Sequence, residues 1–169
     1  TTALGVRQSV QQLMSRRPED LEKRLREEPP GLAEARAQLD EMLVHLAAGT
    51  GIGPSATVLG GFSQGSMLAT DVALRAEHAP RGLAVLSGAP VSVDVWKELG
   101  ARRKDLPVFQ SHGRQDTVLP FAWGEVMRGV LQEAGLAVEF HPFNGPHGIP
   151  GEIAAALKAW LSARLAAGK

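Results

Sequence analysis

No cysteine occurs among the 169 residues, which excludes disulfide bridges and thiolate metal sites and suits a cytoplasmic protein. No run of about eighteen apolar residues is present either, so the sequence offers no segment to cross a bilayer as a helix. An excess of one charge is also missing. Eighteen Lys and Arg balance eighteen Asp and Glu, and no extended basic stripe stands ready for phosphates or lipid headgroups, which makes nucleic acid a poor candidate partner. The opening residues, Thr1-Thr2-Ala3-Leu4, form neither an initiator methionine nor a signal peptide, and the expectation is a chain that is part of something longer.

What is present is a hydrophobic content of 44%, enough for a single globular domain over residues 1–169 with a sheet covered by helices on both faces. Up to the mid-fifties the sequence is helical in character. A short charged stretch runs from Pro18 to Glu28, and after Pro29-Pro30 the residues Leu32, Ala35, Leu39, Met42, Leu43 and Leu46 fall on one stripe of a 3.6-residue period that ends at Gly49. From Thr57 onward short apolar runs alternate with helical patterns, the signature of βαβ units and a parallel sheet. Strands are expected at Thr57–Phe62, Gly82–Ser87, Pro107–Ser111 and Val138–Phe143. Helices are expected at Gln64–His78, Ser92–Leu99, Phe121–Ala134 and Pro150–Leu165, the last with Ile153, Leu157, Trp160, Leu161 and Leu165 on one face. Right-handed crossovers would bring every strand's C-terminal end to one edge, where open α/β sheets hold their ligands.

Gly61-Phe62-Ser63-Gln64-Gly65 reads G-x-S-x-G at a junction between an apolar strand and a helix, the setting in which a serine is held on a sharp turn with its hydroxyl clear of the sheet. Glycines on either side are expected to avoid clashes across that bend. The helix N-terminus and the Gln64 N–H would then face a developing oxyanion. A serine hydroxyl is a weak nucleophile until a base takes its proton. Asp116 and His147 each lie in a loop leaving the C-terminal end of a strand, in the chain order serine, acid, histidine. Asp105 precedes its strand, and Asp71 is expected to point out of a helix two turns past the serine. His45 and His78 sit on helices, and His141 lies inside a strand from which it cannot swing over the turn. His112 either lines the pocket or satisfies loop backbone groups. The spacing of His112, Asp116, His141 and His147 matches no zinc motif, so neither a metal nor another cofactor is expected. Trp96, Leu119 and Phe121, near the functional edge, are candidates for an acyl pocket.

Taken together, these residues resemble the small carboxylesterase/phospholipase family of α/β-hydrolases, which includes acyl-protein thioesterases. The resemblance runs from about Pro18 to the C-terminus. It is carried by Gly60-Gly61-Phe62-Ser63-Gln64-Gly65, by Leu86-Ser87-Gly88, by His112-Gly113 followed by Asp116 and Val118-Leu119-Pro120, and by His147 before a final amphipathic helix. It implies a three-layer α/β-hydrolase fold with a mostly parallel sheet. It also implies a Ser63–His147–Asp116 triad and metal-free hydrolysis of carboxylic esters or thioesters, of small-molecule or lipid origin, through an acyl-enzyme. Two departures stand out. Pro146 precedes His147 where the family more often has a small residue. Nothing before Thr57 resembles the family's early strands or the His-Gly-rich loop that supplies a second oxyanion N–H. The first strand would then be a bare sheet edge, to be completed by upstream strands, by a second copy or by a partner segment. A catalytically silent fragment acting as an interaction module is the competing expectation, and a serine peptidase of the same fold a weaker one.

Overall fold

Alternation along the strands decides which way each layer faces. In the computed structural model, which describes residue 23 and residues 25–166, Leu83, Val85 and Val108 point to one side of the sheet, and Leu86, Phe109 and Phe143 to the other. Most of the charged stretch from Pro18 to Glu28 lies outside those residues. Four strands form the sheet: β1 (Val58–Phe62), β2 (Gly82–Leu86), β3 (Pro107–Gly113) and β4 (Ala137–Phe143). They are all parallel and lie in the order β1-β2-β3-β4. Around them run α1 (Leu32–Thr50), α2 (Gln64–Arg75), α3 (Val93–Gly100), α4 (Phe121–Glu133) and α5 (Gly151–Ala166).

Adjacent parallel strands joined by right-handed crossovers place every connecting helix on the same face. Accordingly Ala69, Ala73 and Leu74 of α2, Trp96 of α3, and Met127, Val130 and Leu131 of α4 share one core with Leu83, Val85 and Val108. On the opposite face α5 sets Ile153 and Trp160 against Leu86, Phe109 and Phe143. Gly82 makes room for this packing, because a side chain there would overlap the Trp160 indole. The layers are thus helix, sheet and helix, as expected.

Strand β3 runs two residues beyond its expected end because pairing with β4 continues through His112↔Pro142 and Gly113↔Phe143. That extension fixes His112 inside the sheet. β2 is buried throughout, whereas β1 is only partly covered. Among the described residues no strand pairs with its outer side.

Helix α1 ends on Gly51, whose left-handed φ of 70° lets its N–H return to the Ala47 carbonyl at 2.9 Å. Its expected apolar stripe is covered in part, with Ala35, Leu39 and Leu43 half-buried. Leu32 is buried, but Met42 and Leu46 are 51% and 52% exposed. Asp71 corrects another expectation. Rather than pointing outward it is fully buried, accepting hydrogen bonds from Trp96 Nε1 (2.9 Å), Arg75 Nε (3.0 Å) and Arg36 Nη1 (2.5 Å). The carboxylate joins α1, α2 and α3, and its hydrogen bond holds the Arg36 guanidinium pKa above its ordinary value. Among the described residues no helix is long and apolar enough to cross a membrane.

Candidate active site

The C-terminal ends of β1, β3 and β4 carry the three residues that the motifs single out. Ser63 links β1 to α2 with φ 55° and ψ −124°, a conformation that L-residues avoid unless the surroundings impose it. Two sets of hydrogen bonds impose it here. Ser63 N–H donates to the Leu86 carbonyl on β2 at 2.8 Å, and the Ser63 carbonyl accepts from Ser66 N–H at 3.0 Å and Ser66 Oγ at 2.6 Å. Gly61 is indispensable to the bend, since a Cβ there would overlap the Gly65 carbonyl and the Ser66 nitrogen. Gly65 is not under the same constraint: among the described residues nothing lies within 4 Å of where its Cβ would be. The expectation of a steric role for both glycines therefore holds for one. Gly88, in the motif that ends β2, admits the Ser66 hydroxyl into space a side chain would fill.

Gln64 opens α2, so its N–H is among those a helix leaves unpaired, at the positive end of the helix dipole. Ser63 Oγ has no hydrogen-bond partner among the described residues.

Asp116 is held by its own loop. Oδ1 accepts from the N–H groups of Val118 and Leu119, each at 2.8 Å, leaving Oδ2 to His147 Nδ1 at 2.6 Å. A carboxylate only accepts in this state, so Nδ1 carries the proton and Nε2 is left as the basic nitrogen. The Asp116 side chain is fully buried and that of His147 nearly so. The two loops are tied directly as well, through Arg114 N–H to Phe143 O (2.8 Å) and Gln115 N–H to Gly145 O (3.0 Å). Gly113 permits this approach, because a side chain there would collide with the Gly145 and Pro146 carbonyls. The His147 ring also meets Phe62, with centroids 4.7 Å apart and planes inclined at 45°.

His112 resolves to the loop role. It is fully buried, and its Nε2–H donates to the Leu119 carbonyl at 2.8 Å while lying 3.5 Å from Asp116 Oδ2. Burial pushes its pKa below the ordinary value, outweighing the upward pull of the Leu119 hydrogen bond and of the Asp116 charge. Gly124 on α4 leaves room for the ring. A lone glycine inside a helical pattern carried no signal of that task. His141 pairs with Glu139 at 2.8 Å and stacks on Phe109, away from Asp116.

The expected acyl-pocket residues fare unequally. Trp96 is fully buried and spends its indole N–H on Asp71, so it has no surface to offer a substrate. Leu119 is also buried, and its main chain serves Asp116 and His112. Phe121 is half-buried, with the Arg114 guanidinium 4.8 Å from its ring centroid. No group of three or more His, Cys, Asp and Glu side chains is arranged to hold a metal among the described residues.

A profile of the phospholipase/carboxylesterase family matches residues 19–165. Lysophospholipase-like protein 1 of Mus musculus is 34% identical over 119 residues, covering 69% of this chain and 50% of the mouse protein. Acyl-protein thioesterase 1 homolog 2 of Dictyostelium discoideum is 29% identical over 103 residues, covering 61% of this chain and 46% of that protein. Among solved structures, esterase PE8 superposes with a TM-score of 0.72 at 32% identity, over 80% of this chain and 62% of the esterase. The chain spans about half the length of the curated relatives it matches.

Proposed function

The chain belongs to the phospholipase/carboxylesterase family, and from that membership we propose that it carries the catalytic portion of a serine hydrolase. Its substrates are carboxylic esters or thioesters of short to medium acyl chains. Ser63 Oγ attacks the carbonyl carbon while His147 Nε2 takes its proton. Asp116 holds the Nδ1–H and offsets the charge on the imidazolium. The carbonyl oxygen, now anionic, accepts from the Gln64 N–H at the head of α2. His147 then returns the proton to the departing alcohol or thiol, and a water deprotonated by the same ring releases the acid. The observation that carries this reading is the 2.6 Å bond from His147 Nδ1 to the buried Asp116, together with a serine held at φ 55° in the strand-to-helix turn. The lack of a partner on Ser63 Oγ does not count against it, since catalytic hydrogen bonds commonly tighten only once substrate is bound. Of the three side chains expected at the acyl pocket, Phe121 is the one with surface to contribute.

Hydrolysis of a series of p-nitrophenyl esters and of an acyl thioester tests the reading. Turnover is expected for the protein and is lost in Ser63→Ala with the circular dichroism spectrum unchanged. Retention of turnover in that variant removes Ser63 from the site. A second reading, a silent interaction module, is favoured by the outer side of β1, with which no strand among the described residues pairs. Such a module would fold normally with Ser63 inert. The cytoplasmic placement rests on the sequence alone, and cell fractionation decides it.

A further inference from the structure

Phe62 is a large apolar side chain that remains 38% exposed. It stands at the end of β1 on the face where Val58, Gly60, Leu86, Leu157 and Leu161 line a groove beneath α5. The loop from β4 to α5 carries His147 to that same side, and the two rings meet at 4.7 Å between centroids. From this contact we propose that Phe62 is a positioning residue for His147, its π face fixing the ring and stabilising the imidazolium that forms when His147 accepts a proton.

The surroundings of His147 leave that task open. Asp116, on the β3–α4 loop, is the charged group hydrogen-bonded to the ring, and its carboxylate is shared with the N–H groups of Val118 and Leu119. His112, on β3, is buried with its pKa pushed down by that burial, and neither of its protonation states could offset a positive charge on His147. Ser63, next to Phe62, is uncharged. A cation within about 6 Å of an aromatic centroid is attracted by the ring quadrupole, with a strength at part-exposed sites equivalent to roughly a two- to fivefold change in an equilibrium or rate. The Phe62 ring lies inside that distance.

This inference rests on the hydrolase reading for its catalytic consequence but not for the contact itself, and the experiment keeps them apart. Tri- and pentafluorinated phenylalanine placed at position 62 preserve the shape while weakening and then reversing the quadrupole. Phe62→Leu removes the ring, and Phe62→Tyr restores it. The readouts are the pH profile of kcat and an NMR titration of the His147 imidazole. The expected result is a graded fall in kcat of about two- to fivefold across the fluorinated series. The acidic limb and the His147 titration should both move to lower pH, with Phe62→Tyr behaving as the parent. If Phe62→Leu is impaired but fluorination moves neither readout, the ring acts by shape alone and the proposal is overturned. If the titration follows fluorination in a protein that hydrolyses no ester, the contact stands and the hydrolase reading falls.

Discussion

At the scale of single residues, Asp116 sets the orientation of the histidine bonded to it. Its carboxylate fixes the His147 tautomer through a 2.6 Å bond. Asp116→Asn presents an amide that can turn an N–H toward Nδ1 and favour the wrong tautomer. It should lower kcat by about 10⁴ with KM nearly unchanged. Steady-state kinetics check this, and a loss confined to KM would contradict it. His112 gives a separate prediction about stability. Burial depresses its pKa below the ordinary 6.5, so the unfolded chain binds a proton that the folded chain resists. The stability from the neutral ring is full above that value and is lost as pH falls through it toward the folded pKa. Urea denaturation should show a midpoint that drops between about pH 7 and pH 5, and drops less in His112→Asn. Equal slopes in the two proteins would show that His112 is not responsible.

Much of the site was legible at this scale, because strand-end loops and chain order say where Ser63, Asp116 and His147 emerge. The misreadings share a cause. Trp96 and Asp71 were assigned by their positions on separate helices, but each satisfies the other across the core at 2.9 Å. Spacing within one helix carries no information about a polar partner on another. His112 was readable only as undecided for the same reason, since the Leu119 carbonyl and the space over Gly124 that settle its role come from tertiary packing.

At the scale of elements, α2 bears the Ser63 turn at one end and is anchored further along by Asp71. That carboxylate is fully buried, while its partners Arg36 and Arg75 reach solvent in part. Removing it leaves the buried Trp96 indole N–H unpaired and the Arg36 and Arg75 guanidinium groups with Glu28 alone, at 3.1 and 3.5 Å. Asp71→Ala should therefore destabilise the fold by about 3 kcal/mol, the low end of the range for breaking a buried ion pair. Trp96→Phe, which forfeits one hydrogen bond and little volume, should cost about 1–2 kcal/mol. Chemical denaturation measures both. Equal losses would mean that packing of the indole, and not the charge network, ties α2 to α3. Strand positions were the best-predicted elements, because the short apolar runs of a parallel sheet stand apart from the helical patterns between them. The helical stripe of α1 was equally clear, yet Met42 and Leu46 on it stay exposed among the described residues. A pattern records what a face is suited to bury, not what covers it.

At the scale of the whole molecule, the sheet is asymmetric. Among the described residues no strand pairs with the outer side of β1, and Met42, Val44, Leu46, Ile52 and Phe62 are exposed. Apolar surface next to a bare strand edge promotes association. The 169-residue chain by itself should show a mass that rises with concentration in analytical ultracentrifugation. A monomer over the whole range would show that β1 needs no partner.

Covalent labelling reports whether Ser63 is an activated nucleophile. A fluorophosphonate reacts with a serine whose proton is being withdrawn by a base. Peptide mass spectrometry after exposure of the folded protein should find one adduct on Ser63, absent in His147→Ala. A folded protein in which Ser63 stays unmodified, or is modified equally well without His147, would contradict the account.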